Sequence, residues 1–249
     1  MIATAPQGSH LLMPVLIFAL ELVVLYGCGS YTMSRMTAWG FDGSIGKAAF
    51  YLLVLPGVAL HETGHCLACL LTGTRIKRFV PFWPENSSEE GRLRLGYVRH
   101  EGRSAPVAAL IGLAPMVLNP VGILMVTVLL TPLTLPEVVD PQPGVLEERI
   151  FSSEFLVESP GVAAVWAYLA FSFALGSVPS REDLSSVPAT FLLFALGVFA
   201  LSFFQEASGD ALLIALAELS QWAAGIYALP TGVAAVSALL LGLWGRRLR

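Results

Sequence analysis

The sequence predicts an all-α polytopic membrane protein of about six transmembrane helices, with one short β-hairpin in the loop after the second. Three observations carry that expectation. Of 249 residues, 55% are apolar and only 13% charged, where soluble domains average about 25% charged. The apolar residues gather in runs close to the roughly 20 residues that a helix needs to cross a bilayer. The charges concentrate in the segments between those runs, outside the hydrocarbon where they are costly.

The runs fall at roughly 11–30, 48–72, 106–131, 160–178, 188–205 and 229–245. The first contains Leu25-Tyr26-Gly27-Cys28, loosely like a lipoprotein cleavage box. It has no Lys or Arg ahead of it, Glu21 interrupts the apolar run, and Tyr26 stands where a small residue is usual. It is therefore read as a span rather than a cleaved signal, with Glu21 as a buried polar partner.

The second run holds His61-Glu62-Thr63-Gly64-His65 between Ala48–Leu60 and Cys66–Leu71. Two imidazoles and a carboxylate are expensive in hydrocarbon, so a cluster of them there points to function. Residues four apart share one helix face about 6 Å apart along the axis. Both imidazoles can then converge on one Zn²⁺ at about 2.0–2.1 Å. Glu62, beside the first histidine, is placed as general base toward water. In a soluble helix the same pattern is often only a solvated polar face; the apolar flanks here offer no such surface.

A hydrolytic zinc site keeps three protein ligands. The candidates for the third are Asp183, Glu182, Asp210, Glu154 and His100, with His10 ahead of the first span. Asp183 is favoured, because it starts the fifth span at a depth within a few turns of His65. Ser180 three residues earlier also makes an N-capping arrangement with it, so ligand and cap stand as alternatives. Cys69 lies about 12 Å of helix beyond His61, too far to share one ion. Cys66 and Cys69 are read as core residues, and with Cys28 they suggest no disulfide framework.

Pro56-Gly57 lies one turn before His61, and Ala114-Pro115 with Asn119-Pro120 interrupts the third span. Proline frees a carbonyl in a membrane helix, which neighbours or water must satisfy. Asn119 is a candidate substrate-binding residue; a plain helix–helix hydrogen bond is the competing reading.

The loops set an orientation. Between the second and third spans lie Arg75, Lys77, Arg78, Arg92, Arg94, Arg99 and Arg103; between the third and fourth, Arg149 alone with six carboxylates. The C-terminus ends in Arg246, Arg247 and Arg249. The positive-inside rule puts the basic loop and both termini in the cytoplasm. Within that loop, Thr74–Trp83 and Gly91–Arg99 alternate and flank turn material, predicting a β-hairpin. Its edge can accept an extended peptide; its charge equally suits anionic headgroups. The stretch 209–227, with Asp210, Glu218 and Gln221, is expected to lie at the interface or to join the last helix as a hairpin. No basic tract with interleaved aromatics suggests nucleic acid.

The zinc motif in a membrane helix, the basic hairpin straight after it and an Asp near the start of a later span resemble the site-2-protease family of intramembrane zinc metalloproteases. Gly96-Tyr97-Val98 and Val178–Asp183 look closest to its small prokaryotic members. The likeness covers about 45–205 of a single domain spanning 1–249, with the hairpin loop at about 73–104 and C-terminal helices at about 209–245. It implies His61, His65 and an Asp, mapped to Asp183, as zinc ligands, and Glu62 as general base. It implies an endopeptidase in a prokaryotic cell membrane that cuts transmembrane protein substrates near the cytoplasmic side. The chain departs from better-known members in two places. It has Glu-Asp-Leu where they have Leu-Asp-Gly, and Ala-Pro-x-x-x-Asn at 114–119 where they often have Gly-Pro-x-x-Asn. It also has no PDZ-like insert. A silent zinc-binding scaffold or regulator and a metal transporter are the rival classes. The bilayer is the expected surrounding, and a homo-oligomer is left open.

Overall fold

The computed structural model describes residues 9–40, 44–86, 93–139, 153–185, 187–188 and 208–247. The long helices are α1 (Ser9–Gly40), α2 (Ser44–Leu71), α3 (Ala105–Leu130), α6 (Pro160–Gly176) and α8 (Ser208–Arg247). Short helices are α4 (Leu135–Val139), α5 (Ser153–Glu158) and α7 (Arg181–Leu184). Four helices among the described residues are long and apolar enough to cross a membrane, over Met13–Ala38, Ile45–Leu71, Ala105–Leu130 and Ile214–Leu243. The apolar α6 has 17 residues, about 26 Å of helix. The expected span at 188–205 lies outside the described residues but for its first residue, as does much of the acidic loop.

The C-terminal part differs from expectation. Residues 209–227 and 229–245 form one uninterrupted helix, α8, with Pro230 inside it. There is no hairpin turn. The segment from Ala223 to Leu229 contains helix formers and no turn dipeptide, and a proline inside a membrane helix does not have to end it.

α2 is the central helix, packed on α3 and α6 and touched by α1 and the hairpin. It meets α6 closely at Gly57, whose N–H donates to Ser172 Oγ at 2.8 Å. A β-carbon there would run into the Ser172 carbonyl, so a small residue sets the approach, as membrane helix interfaces favour. On the other side α1 runs along α8, with Leu25, Tyr227 and Ala234 buried between them and Phe18, Leu22 and Ile226 packed around. Leu16, Leu20, Val23, Leu70, Val117, Leu129, Leu239 and Leu240 all face outward, a surface suited to lipid and not to water.

The hairpin forms as two antiparallel ladders, β1 (Ile76–Val80) with β4 (Tyr97–His100) and β2 (Glu85–Asn86) with β3 (Leu93–Arg94). Trp83 N–H bridges them by donating to Leu95 O at 2.6 Å. Its tip, 87–92, lies outside the described residues. The hairpin does not stand away from the helices as a loop would. Ile76 and Val98 at its base pack on Ala68, Cys69 and Ile111. Phe82, Leu93 and Leu95 pack against Phe50, Val54 and Val58, and Phe82 meets the Tyr51 ring at 6.3 Å. It therefore lies back along α2, reaching about 15 Å beyond His61 toward the start of the helix. The apolar residues interleaved with the arginines drive this, and the ladders pair the backbone groups that such a position would otherwise leave unsatisfied.

Candidate metal centre

His61 and His65 come to one face of α2, as their spacing predicts. Asp183 reaches them from α7, the short helix just after α6. Its carboxylate lies with Oδ2 3.4 Å from His61 Nε2 and Oδ1 3.1 Å from His65 Nε2. The two Nε2 atoms are 3.2 Å apart. Ligand atoms about 2.1 Å from a tetrahedral ion lie about 3.4 Å from one another. The three observed separations are close to those edges. Among the described residues, this is the His/Asp group able to hold a metal ion.

The outer ring nitrogens decide what the inner ones can do. His61 Nδ1 contacts Gly176 O at 2.8 Å, and His65 Nδ1 contacts Ile111 O at 2.8 Å. A carbonyl only accepts, so each Nδ1 carries the proton. In neutral rings both Nε2 lone pairs then face each other and a carboxylate. Such an arrangement is repulsive without a cation among them, and it is the tautomer that a metal-ligating imidazole needs.

Asp183 is also a cap. Ser180 N–H donates to Asp183 Oδ2 at 2.6 Å, and Asp183 N–H donates to Ser180 Oγ at 3.1 Å. This is a reciprocal capping box. The cap is formed, and it holds the carboxylate still in a place from which it could also serve as a ligand. The α7 turn gets this close because α3 has Gly112 there, where a β-carbon would strike the Asp183 carbonyl.

Glu62 is buried on α2 beside the first histidine. The hairpin passes directly over it: a β-carbon on Gly96 would sit 2.8 Å from Glu62 Cγ. Asn119 is fully buried. Its amide nitrogen donates to Gly176 O at 3.1 Å and Pro115 O at 3.3 Å, while its oxygen has no partner among the described residues. It thus makes the helix–helix bond and shares the carbonyl that orients His61. Of the other third-ligand candidates, Glu182 and His100 do not join the cluster. Glu182 is exposed, and His100 Nδ1 donates to Glu101 O. The side chains of His10, Glu154 and Asp210 lie outside the described residues. Cys69 is buried against Ile111, and Cys66 is half-buried. The orienting carbonyls of Ile111 and Gly176 were not read from the sequence. Ile111 carries a signal in hindsight, since it stands four residues before Pro115.

Fold and site together define a helical protein of membrane type, with a two-histidine, one-aspartate centre able to hold a metal ion. No protein-family model, curated protein or solved structure matches the chain.

Proposed function

We propose that this protein is a zinc-dependent intramembrane endopeptidase of the site-2-protease type. The observation that carries the reading is a buried Glu62 next to a three-donor centre of His61, His65 and Asp183, roofed by a β-hairpin. Two imidazoles and a carboxylate form a zinc hydrolase donor set that leaves a position open. Bound there, zinc would polarise the scissile carbonyl and activate water for attack on it.

The chain's own residues supply the rest. His61 and His65 are held by their carbonyl partners with Nε2 turned inward. Asp183 is locked by its capping box. Glu62 takes a proton from the attacking water as the new C–O bond forms, and gives it to the amine nitrogen as the C–N bond breaks. The substrate is a transmembrane segment of another protein. Its peptide bonds are shielded by its own helical hydrogen bonds, so it must unwind locally, and the hairpin edge beside Glu62 can take the unwound strand. The surroundings are a prokaryotic cell membrane, with the basic residues at the base of the hairpin, Arg75 and Arg103, toward anionic headgroups on the cytoplasmic side.

The test is co-reconstitution with a set of single-span reporter proteins in liposomes. Wild type should cut a reporter within its span, and Glu62→Gln should not cut while keeping its zinc. Cleavage undiminished in Glu62→Gln would end the protease mechanism. Bound zinc with every reporter left intact would favour the silent scaffold.

A further inference from the structure

A proline has no N–H, so the carbonyl four residues before it loses its helical donor. Away from water such a carbonyl is costly unless another donor reaches it. Among the described residues, three of these carbonyls are each reached by a side chain of a different helix. Pro56 frees Leu52 O, which accepts from Tyr168 OH at 2.7 Å. Pro120 frees Met116 O, which accepts from Tyr227 OH. Pro115 frees Ile111 O, which accepts from His65 Nδ1 at 2.8 Å. The two tyrosines tie helices together. The third donor is a ligand of the candidate metal centre.

We propose that Pro115 is a positioning residue for that centre: by withholding its N–H, it leaves Ile111 O free to fix the ring of His65. This rests on the metal-centre reading and not on the protease reading. A neutral imidazole has one proton and two places for it. Ile111 O draws that proton to Nδ1 and leaves the Nε2 lone pair toward His61 and Asp183. An N–H at position 115 would compete for the same carbonyl as its ordinary helical partner. His65 would then lose or share its anchor, and its ring would be free to turn or to carry the proton on Nε2.

The packing puts the device where it is needed. A β-carbon on Gly64, next to His65, would lie 3.0 Å from both N and Cα of Pro115. The two helices thus pass each other at the proline, with Ile111 O one turn away. His61 shows why only one histidine needs this. Its acceptor, Gly176 O, belongs to the last residue of α6, where carbonyls lack helical donors anyway. The N–H that would come next in register, on Ser180, goes to Asp183 instead. An acceptor at a helix end is free at no cost, whereas one in mid-helix must be freed.

The experiment is a Co²⁺ titration of metal-stripped protein in detergent, reading the visible absorption for affinity and coordination. The variants are Pro115→Ala, Pro120→Ala and an ester counterpart of the first, with lactic acid incorporated at position 115. Alanine restores the N–H; lactic acid has the same side chain and no N–H. Pro115→Ala should weaken Co²⁺ binding about 10–100-fold, as loss of a ligand's outer partner does, and alter the spectrum. The lactic acid variant and Pro120→Ala should stay close to wild type in both. Equal weakening by alanine and lactic acid would overturn the inference, because the ring and not the missing N–H would matter. So would wild-type binding by Pro115→Ala, or a loss in Pro120→Ala as large as in Pro115→Ala. If the alanine variant does not fold, the lactic acid variant decides: retained affinity supports the inference and lost affinity overturns it. A wild type that takes up no Co²⁺ would instead remove the metal-centre reading, and this inference with it.

Discussion

The α2–α3–α6 side of the molecule and the α1–α8 side are built on different principles. Around α2 the helices are tied by polar contacts: Gly57 to Ser172, Tyr168 to Leu52, Asn119 to Gly176 and the two histidines to carbonyls. Nearly half of the α2 span is buried, at 44%, against 11% for α1 and 17% for α8. The α1–α8 pair instead packs mostly apolar side chains around Leu25 and Ala234, and many of its large apolar residues face outward. Polar ties fix atoms to within a few tenths of an ångström, as a metal site demands. Apolar packing holds helices together without specifying such detail. The difference teaches that α1 and α8 support the fold while the α2 side holds the candidate metal centre.

Three changes would break or sharpen that division. Leu25→Ala removes a fully buried side chain between α1 and α8. It should cost about 2–5 kcal/mol of stability, seen as a lower unfolding temperature, with metal content unchanged. Loss of metal in that variant would show that the two sides are coupled. Gly112→Ala puts a methyl against the Asp183 carbonyl. Overpacking of this kind costs about 1–3 kcal/mol, but here metal affinity should fall as well, because the displaced residue is one of the three candidate ligands. An unaffected affinity would mean that α7 can shift without moving its carboxylate. Tyr168→Phe deletes the one donor to Leu52 O seen at that turn. The expected loss is about 0.5–1.5 kcal/mol, measured by unfolding in mixed detergent, with no change in metal binding.

Much of the α2 side was legible in the sequence because its chemistry is compact. His61 and His65 are four apart, and Ser180 and Asp183 are three apart, spacings that only need one helix turn to act. The bulk of the long apolar runs was legible for the same local reason. What could not be read depended on contacts between distant segments. The hairpin's strands were predicted, but its return along α2 follows from Phe82, Leu93 and Leu95 meeting Phe50 and Val54. Its many arginines pointed instead to a loop outside the helices. The continuity of α8 was missed because Asp210, Glu218 and Gln221 read as a polar interruption. On a helix, Glu218 and Gln221 simply face outward. The orienting carbonyls belong to apolar residues, Ile111 and Gly176, whose side chains give no hint of the role.

The central claim is that His61, His65 and Asp183 form one metal centre. Its most direct test is the metal content of the purified, detergent-solubilised protein, wild type beside His65→Ala and Asp183→Ala, with zinc and iron measured together. The account predicts about one zinc per chain in the wild type, as three protein ligands around one ion require, and loss of it in both variants. Zinc kept by Asp183→Ala but lost by His65→Ala would reduce Asp183 to a helix cap. A wild type that holds no metal even after reconstitution would contradict the account.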